Sequence, residues 1–386
     1  MAVPPPSVPP PPALVLRAPA AIATGTGFAL SGSGAGPGAR VQLQLKLDGS
    51  WRPLVAARAD GHGQFARDVR PATPRSGYRL RASTRDGRLS REVVVRSRDV
   101  TLDAVGDVNL GDAAGSEMAA NGTGYPWTSV GPVLRGADIA FGNLECAIST
   151  RGAPVPKEFN FRGTPAALRA MHDDAGFDVV NLANNHAGDY GRSALLDTIT
   201  WARRDGMTAV GAGGSLAAAA QPQVVERLGL KIAFVGFSNI LPSEFWATPS
   251  SAGTDPATIA GIRASVAAAK READVVIATF HWGIELDLQQ NEDQEAFAQA
   301  ALDAGATAVI GGHPHVLQPI HTLDGGRRVV AYSLGNFVFG SYRPTTVRTG
   351  ILQLDLSARG VERTRFQHAR IDGARPVLSG QPETIR

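Results

Sequence analysis

Two histidines, His313 and His315, lie two residues apart directly after an apolar run at 306–310. Residues i and i+2 of an extended segment face the same side, so we predict that both imidazoles face one site. Imidazole is the commonest metal-binding side chain in proteins. The pair therefore indicates a metal site at the end of a strand.

Four further apolar segments also end in side chains that carry oxygen or nitrogen donor atoms. They are 101–106 with Asp107 and Asn109, 137–142 with Asn143 and Glu145, 177–183 with Asn184, Asn185, His186 and Asp189, and 274–280 with His281. Sites in open α/β sheets form outside the carboxyl ends of the strands, so five such segments predict one shared site. The mixture of carboxylate, amide and imidazole groups suits Mn, Fe or Zn better than a thiolate-binding metal.

The order of these motifs resembles the CapA family, the poly-γ-glutamate capsule biosynthesis branch of the calcineurin-like metallophosphoesterases. The motifs are Gly106-Asp107, Gly142-Asn143-Leu144-Glu145, Asn184-Asn185-His186, His281-Trp282-Gly283, Gly312-His313-Pro314-His315 and Ser333-Leu334-Gly335-Asn336-Phe337. The resemblance runs from about residue 99 to about residue 356, a span that suits one large domain. It implies an α/β fold, a four-layer α/β/β/α sandwich, with a dinuclear metal centre.

The resemblance also implies a role for each site residue. Two divalent metals about 3.5–4 Å apart can activate a water and stabilise an attacked phosphoryl group. The implied ligands are Asp107 and His315 for the first metal, Glu145 as a bridge, and Asn185, His281 and His313 for the second metal. His186 would face the substrate as an acid or charge stabiliser.

Two positions depart from the pattern of the wider superfamily. The first motif is usually Asp-x-His, whereas this chain has Asp107-Val108-Asn109. An amide oxygen is a poorer ligand than imidazole for these metals, so we predict a weaker first site that includes Asn109. The third motif usually has an acidic residue after its histidine, but Ala187 follows His186 here, and we predict that Asp189 orients His186 instead.

The length of 386 residues suggests two or three domains, and the charge is balanced at 38 basic against 35 acidic side chains. No basic run is long enough to indicate a nucleic-acid or membrane patch, so we predict no nucleic-acid partner. No apolar stretch approaches the roughly 18 residues of a transmembrane helix. The single cysteine, Cys146, excludes an intramolecular disulfide framework, and we interpret it as a buried thiol rather than a nucleophile.

The chain divides into segments of different composition. Residues 1–12 are a Pro-rich spacer without the apolar core of a signal peptide, which fits either a removed export or anchoring segment or a natural start. Residues 13–98 are predicted to form a small all-β, Ig-like sandwich. Apolar and polar residues alternate at 41–47 and 78–82, and 92–96 is predicted to be the closing strand. The Asp48-Gly49 dipeptide favours a hairpin. Residues 99–375 are assigned to the CapA-like domain and 376–386 to a tail.

Strands alternate with helices after residue 99, which is typical of an α/β fold with covered sheets. Four helices are predicted, at 165–171, 193–204, 259–271 and 292–304. The first is supported by Thr164 as N-cap with Pro165 at the first helical position.

The resemblance to the CapA family implies a metal-dependent phosphoester hydrolase that acts on an anionic phosphoester or polymer substrate. The resemblance implies a cell-envelope context, and we expect an extracellular or envelope location, with envelope-associated machinery as a partner, although no export segment is visible. Two alternatives stay open: a metal-independent peptide-modifying enzyme, such as an epimerase, and a non-catalytic factor that binds an anionic polymer. Metal content separates the first function from the other two, and turnover separates the second from the third.

Overall fold

The computed structural model describes residues 11–340 and 343–385 of the chain. The chain forms two compact units, Met1–Asp99 and Val100–Arg386. The division falls where the sequence changes from alternating strands to strands that alternate with helices. The predicted Pro-rich spacer lies outside the described residues except for residues 11 and 12, which have no regular structure.

The first unit is built from strands alone within the described residues. The strands are β1 Val15–Arg17, β2 Ala21–Ala23, β3 Phe28–Ser33, β4 Arg40–Leu47, β5 Ser50–Arg58, β6 Phe65–Val69, β7 Gly77–Thr84 and β8 Val93–Arg98. They form a three-stranded sheet in the order β1-β3-β6 and a five-stranded sheet in the order β2-β8-β7-β4-β5. The strands predicted at 41–47, 78–82 and 92–96 are confirmed.

The apolar faces of the two sheets form one core. Leu30 and Phe65 of the smaller sheet share a buried cluster with Leu43 and Leu80 of the larger sheet. Alternate residues of a strand face opposite sides, so the alternation in the sequence places these side chains inward. Asp48 and the glycine after it both have positive φ, 48° and 80°, as the predicted tight β4–β5 hairpin requires. The Ig-like topology of this sandwich stays a prediction.

The second unit is a mixed α/β structure. Its strands are β9 Val100–Val108, β10 Ile139–Leu144, β11 Ala147–Ile148, β12 Arg162–Gly163, β13 Phe177–Asn181, β14 Thr208–Val210, β15 Ala212–Gly213, β16 Gln223–Arg227, β17 Leu230–Ser238, β18 Gly253–Thr254, β19 Val275–His281, β20 Ala308–Gly312, β21 Ile320–Leu323, β22 Arg328–Ala331, β23 Asn336–Val338, β24 Arg348–Ser357, β25 Gly360–Asp372, β26 Arg375–Leu378 and β27 Glu383–Thr384. Its helices are α1 Asp112–Asn121, α2 Gly131–Leu134, α3 Pro165–Asp173, α4 Arg192–Arg204, α5 Leu216–Ala219, α6 Ile259–Glu272 and α7 Glu292–Ala304.

Two large sheets organise the second unit. The first has the order β14-β13-β10-β9-β24-β25-β26, and β23 pairs with β9 and β27 with β25. The second has the order β16-β17-β19-β20-β22-β21. The central pairs β9–β10, β10–β13, β17–β19 and β19–β20 are all parallel. Parallel strands end at the same edge, so each sheet brings the residues that follow its central strands together.

Helices cover these sheets and confirm the four helices predicted from the sequence. Residues of α3 and α4 share one buried cluster with the nine-stranded sheet, and residues of α6 and α7 share another with the six-stranded sheet. The Thr164 side chain accepts a hydrogen bond from Ala167 N, and Asn291 caps α7 through a capping box with Gln294. Phe141 of β10 stacks on Phe234 of β17 with ring centroids 5.9 Å apart. Among the described residues, no helix is long and apolar enough to cross a membrane.

The assignment of residues 376–386 to a tail is wrong for the part that the structure describes. Strand β26 pairs antiparallel with β25, and β27 also pairs with β25. Leu378 packs against the core of the second unit. The sheet extends past residue 375 because β25 is 13 residues long and its hydrogen-bonding edge is covered by these later strands.

A buried carboxylate in the nine-stranded sheet gives the second unit a pH-dependent stability. Asp103 of β9 is 4% exposed, and Gln353 Nε2 donates to its Oδ2 at 3.2 Å. Burial raises the pKa of Asp103 to about 7, against the lowering effects of Gln353 and Arg365. The folded protein therefore holds a proton that the unfolded chain has already released. This group stabilises the fold at low pH, and the contribution is lost as the pH rises through about 7.

We expect Asp103→Asn to stabilise the protein, and more so at pH 8 than at pH 5, with a difference of about 1–3 kcal/mol in the free energy of unfolding. The asparagine keeps an acceptor for Gln353 and removes the charge that burial opposes. Urea unfolding at the two pH values measures the effect, and the exposed Asp372→Asn serves as control. An equal effect of Asp103→Asn at both pH values would contradict this explanation.

Candidate metal centre

The residues predicted to bind metal come from the ends of strands in both large sheets. Asp107 lies near the end of β9, and Glu145 follows β10 directly. Asn185 lies in the turn after β13. From the six-stranded sheet come His281, the last residue of β19, and His313, the first residue after β20. The parallel strands thus deliver five side chains of different donor type to one place.

The donor atoms converge in overlapping groups. Glu145, His281 and His313 offer one ligand atom each within 4.8 Å of one another, and so do Asp107, Glu145 and His315. Glu145 belongs to both groups. Two overlapping sets that share a carboxylate are the arrangement in which one side chain can bridge two cations.

The backbone conformation of the histidine pair differs from the extended strand predicted from the sequence. His313 and His315 have positive φ of 94° and 59°, so they lie in a turn and not on an extended strand. The predicted i, i+2 geometry is therefore wrong, although both rings do lie together, with centroids 5.9 Å apart. Non-glycine residues rarely adopt positive φ, and such residues cluster at functional sites.

Glu145 is fully buried, and neither of its carboxylate oxygens has a hydrogen-bond partner among the described residues. His281 Nε2 is 3.3 Å and His186 Nε2 is 4.0 Å from its Oε1. Burial raises the pKa of Glu145, but the charge of His281 and of the neighbouring imidazoles outweighs burial and holds it well below its usual range. A buried carboxylate without hydrogen bonds is strongly unfavourable unless a cation compensates it. The donor set therefore fits a metal.

His281 is held with a defined ring orientation. Asn143 Nδ2 lies 3.1 Å from its Nδ1, and Asn185 Oδ1 lies 2.8 Å from its Nε2. Both ring nitrogens therefore contact a polar group, and Nε2 is the nitrogen that faces Asn185 and Glu145. His281 Nε2 and Asn185 Oδ1, which are both predicted ligand atoms, thus lie within hydrogen-bond distance of each other.

Asn143 links the two groups of ligands. Its Nδ2 also donates to Asp107 Oδ1 at 2.8 Å, and its Oδ1 accepts from Asn181 and Asn184. Partners of this kind fix the orientation of metal ligands and tune their affinity. The sequence motif contained Asn143, but the ligand-type pattern gave it no role.

Asp107 and His315 form the other half of the site. His315 Nδ1 lies 3.4 Å from Asp107 Oδ2 and 2.8 Å from Asn336 Oδ1. Burial lowers the pKa of His315, but the hydrogen bond to Asp107 and the charge of Glu145 raise it to about 9. Gly312 leaves the space that Asp107 occupies, because a Cβ there would lie 2.4 Å from Asp107 Oδ1. The carboxylate is thus held tightly against the turn that carries the histidines.

Asn109, the further ligand predicted for the first site, makes a contact within its own turn. Its Oδ1 accepts a hydrogen bond from Gly111 N at 2.8 Å, at the entry to α1. This is the oxygen that would coordinate a metal. The short Asn side chain is engaged in a local backbone turn, for which asparagine is well suited.

His186 and Asp189 form a pair beside Glu145. His186 Nδ1 is 2.7 Å from Asp189 Oδ2, and Lys157 Nζ donates to Asp189 Oδ1 at 2.7 Å. Phe161 stacks on the imidazole with centroids 4.1 Å apart, and its backbone N–H donates to Asp189 Oδ2. The ring of His186 is therefore fixed, and its Nε2 faces Glu145.

Cys146 next to Glu145 is buried and has no disulfide partner. Burial raises the pKa of its thiol to about 12, so the thiolate does not form near neutral pH. Leu110 N donates to the sulfur. The thiol packs beneath the site as the sequence analysis interpreted it.

Two further residues at the site were missed by the sequence analysis. Lys157 lies in the loop between β11 and β12, and Glu285 lies in the loop after β19 and can join His313 and His315 in a third ligand group. Neither follows an apolar run, so the strand-end pattern could not find them. The exposed Glu285 reaches the histidine turn because Leu286 N donates to Pro314 O at 2.8 Å.

The geometry describes a candidate metal centre at the strand ends of a mixed α/β unit. Residues 101–341 match the family described as Bacterial capsule synthesis protein PGA_cap. The chain is 32% identical over 276 residues to the PGA biosynthesis protein CapA of Bacillus subtilis (strain 168), which covers 71% of this chain and 72% of that protein. The protein therefore belongs to the PGA_cap, or CapA, family.

A second relative gives the same level of identity. The capsule biosynthesis protein CapA of Bacillus anthracis is 32% identical over 269 residues, which cover 68% of this chain and 65% of that protein. Among solved structures, the NAD nucleotidase of Haemophilus influenzae aligns with a TM-score of 0.43 and 12% identity over 75% of this chain and 54% of that chain. A structural likeness this low carries no inference about activity.

Proposed function

We propose that the second unit is a metal-dependent phosphoester hydrolase of the CapA type, built as a four-layer α/β/β/α sandwich. The observation that carries the proposal is the Glu145 carboxylate, which is fully buried without a hydrogen-bond partner among the described residues. Imidazole nitrogens and a second carboxylate converge on it, and these are the ligand types that a divalent transition metal takes.

Two overlapping ligand sets support a centre for two divalent cations, with Mn, Fe or Zn as the candidates. Asp107, Glu145 and His315 would hold one ion, and Glu145, His281 and His313 the other, with Asn185 Oδ1 close to His281. Asn109 stays a predicted ligand of the first ion, and its amide oxygen, which accepts one hydrogen bond from Gly111 N, keeps a second lone pair. Because an amide is a poorer ligand than an imidazole for these metals, we still expect the first site to bind its metal with lower affinity than the second.

When bound, divalent cations supply Lewis acidity at a phosphoryl oxygen and activate a water. His186 would act as the acid. Asp189 holds its Nδ1, and Nε2 faces the ligand group, so a proton on Nε2 can pass to the leaving oxygen as its bond to phosphorus breaks. Lys157 offsets the charge of Asp189, and Phe161 keeps the ring in place.

The relatives named for capsule and PGA biosynthesis suggest the biological setting. We propose that this chain acts at the cell envelope or outside the cell, on an anionic phosphoester or polymer connected with poly-γ-glutamate, together with envelope-associated machinery. The two compact units would then be an all-β accessory domain and a hydrolase domain.

Elemental analysis combined with one generic assay tests this function. We expect the purified full chain to contain up to two equivalents of a divalent transition metal and to hydrolyse bis(p-nitrophenyl) phosphate with added Mn. Removal of the metal by a chelator should stop turnover, and Mn should restore it. Metal without any phosphoester turnover would contradict the hydrolase. Protein with neither metal nor turnover would favour the polymer-binding factor, and turnover of a peptide by metal-free protein would favour the epimerase-type enzyme.

A further inference from the structure

The two units of the chain carry opposite net charge. Residues 1–99 contain 15 basic and 6 acidic side chains, whereas residues 100–386 contain 23 basic and 29 acidic ones. The net charge of the whole chain is only +3, because the net charge of +9 on the first unit is largely offset by the net charge of −6 on the second unit. A small domain with this excess of cations attracts polyanions and raises their rate of association. Fourteen of the 15 basic residues are arginine, the cation that binds carboxylates in a two-pronged geometry.

Five of these arginines line one groove of about 890 Å³ that lies wholly within the first unit. They are Arg40, Arg58, Arg67, Arg85 and Arg88. The one acidic residue of the lining, Asp86, is already paired with Arg88 at 2.8 Å. A second groove of about 570 Å³ adjoins the first through the shared residues Arg58 and Ala66, and it adds Arg17 together with one acidic residue, Asp60.

Four of the groove arginines are available to a ligand. Arg88 is used by the fold, since it donates to Gly34 O at 2.8 Å and pairs with Asp86. Arg40, Arg58, Arg67 and Arg85 are exposed, and the structure gives them no ion pair with another described residue. The four unpaired guanidinium groups around this concave surface repel one another and so destabilise the isolated unit. Binding of an anionic ligand would reduce this repulsion.

The floor of the groove indicates the shape of the ligand. Glycine and alanine residues form much of the lining, including Gly36, Ala56 and Ala66, so the backbone of an extended chain can approach closely. None of the described residues that line this groove is aromatic. Grooves for single-stranded nucleic acids add aromatic rings, on which the bases stack, to their positive charge, and surfaces that lie on membranes add apolar side chains that enter the lipid interface. The groove offers neither, whereas it suits repeated carboxylates.

We propose that the first unit binds a linear polycarboxylate along the arginine groove, with a poly-glutamate chain as its ligand. The preference for carboxylates follows from the groove itself, and the choice of glutamate rests on the proposed function. Such a module would hold an anionic polymer on a chain whose other unit is net negative and would otherwise repel it. The two activities are separable, because a small phosphodiester does not need the groove.

Binding of fluorescein-labelled poly-γ-glutamate to the full chain, followed by fluorescence anisotropy, tests the proposal. We expect the combined variant Arg40→Gln, Arg58→Gln, Arg67→Gln, Arg85→Gln to weaken binding by at least about tenfold, since each lost ion pair contributes modestly and the four act together. The matched control removes four exposed arginines that line neither groove: Arg52→Gln, Arg70→Gln, Arg75→Gln and Arg91→Gln. We expect the control to change the affinity by less than about threefold through its general charge alone.

Two further measurements keep the result interpretable. Thermal unfolding shows whether each variant is folded, and hydrolysis of bis(p-nitrophenyl) phosphate with Mn should be the same in both variants and in the wild type. Equal weakening in the two variants, no binding by the wild type, or tighter binding of oligo-dT or phosphatidylglycerol vesicles than of poly-γ-glutamate would overturn the proposal. Absent hydrolysis with intact polymer binding would count against the hydrolase alone.

Discussion

We expect Glu145→Gln to lose its metal and its phosphoester hydrolysis together. The carboxylate belongs to both ligand groups, so its removal affects both cations and not one of them. A neutral amide of the same size cannot compensate two divalent charges, and we expect metal affinity to fall by at least about 100-fold, as for loss of a direct ligand. The substitution also removes the carboxylate that the neighbouring imidazoles stabilise, so the metal-free variant should be less stable than the metal-free wild type.

Differential scanning fluorimetry with and without Mn checks this expectation. The wild type should melt at a higher temperature when Mn is added, because a ligand that binds only the folded state stabilises it. Glu145→Gln should show no such shift, and the exposed Glu226→Gln should behave as the wild type. A variant that keeps the Mn-induced shift would remove Glu145 from the centre.

The second large effect concerns His186. We expect His186→Ala to retain bound metal and to lose turnover by about 10²–10⁴-fold, the usual effect of a missing acid–base group. Its ring is fixed by Asp189 and Phe161, and its Nε2 lies 4.0 Å from Glu145 Oε1, beside the ligands and not within a three-residue ligand group.

Elemental analysis and steady-state kinetics with bis(p-nitrophenyl) phosphate measure the two properties separately. His321→Ala, at an exposed histidine of the same unit, is the control and should keep both metal and activity. Full activity of His186→Ala would exclude it as the acid. Loss of metal in that variant would instead make His186 a ligand.

Much of this site could be predicted because its ligands follow apolar strands. The run 274–280 ends in His281 and the run 137–142 leads to Glu145, and parallel pairing brings such ends to one edge. The helices were equally visible, since Thr164 and Pro165 mark the start of α3 by capping chemistry.

Other parts of the site depend on contacts that a pattern along the chain does not contain. The positive φ of His313 and His315 is set by the turn, and Lys157 reaches Asp189 from a loop 32 residues away in the sequence. Asn109 stands where the superfamily motif has a histidine, and the hydrogen bond that its amide oxygen accepts from Gly111 N was not visible in the motif. The total charge also concealed the basic first unit, because the opposite excess of the second unit cancels it.

The proposed ligands divide between the two large sheets, with Asp107 and Glu145 from the nine-stranded sheet and His281 and His313 from the six-stranded sheet. Strands from residue 100 to residue 312 must be in place before all four side chains meet. A cation could then bind only after most of the second unit has folded, so metal binding would be a late step in folding. A bound cation would link the two sheets through its ligands. Removal of the metal by a chelator should therefore speed the unfolding of the whole second unit, and not only the local opening of one sheet.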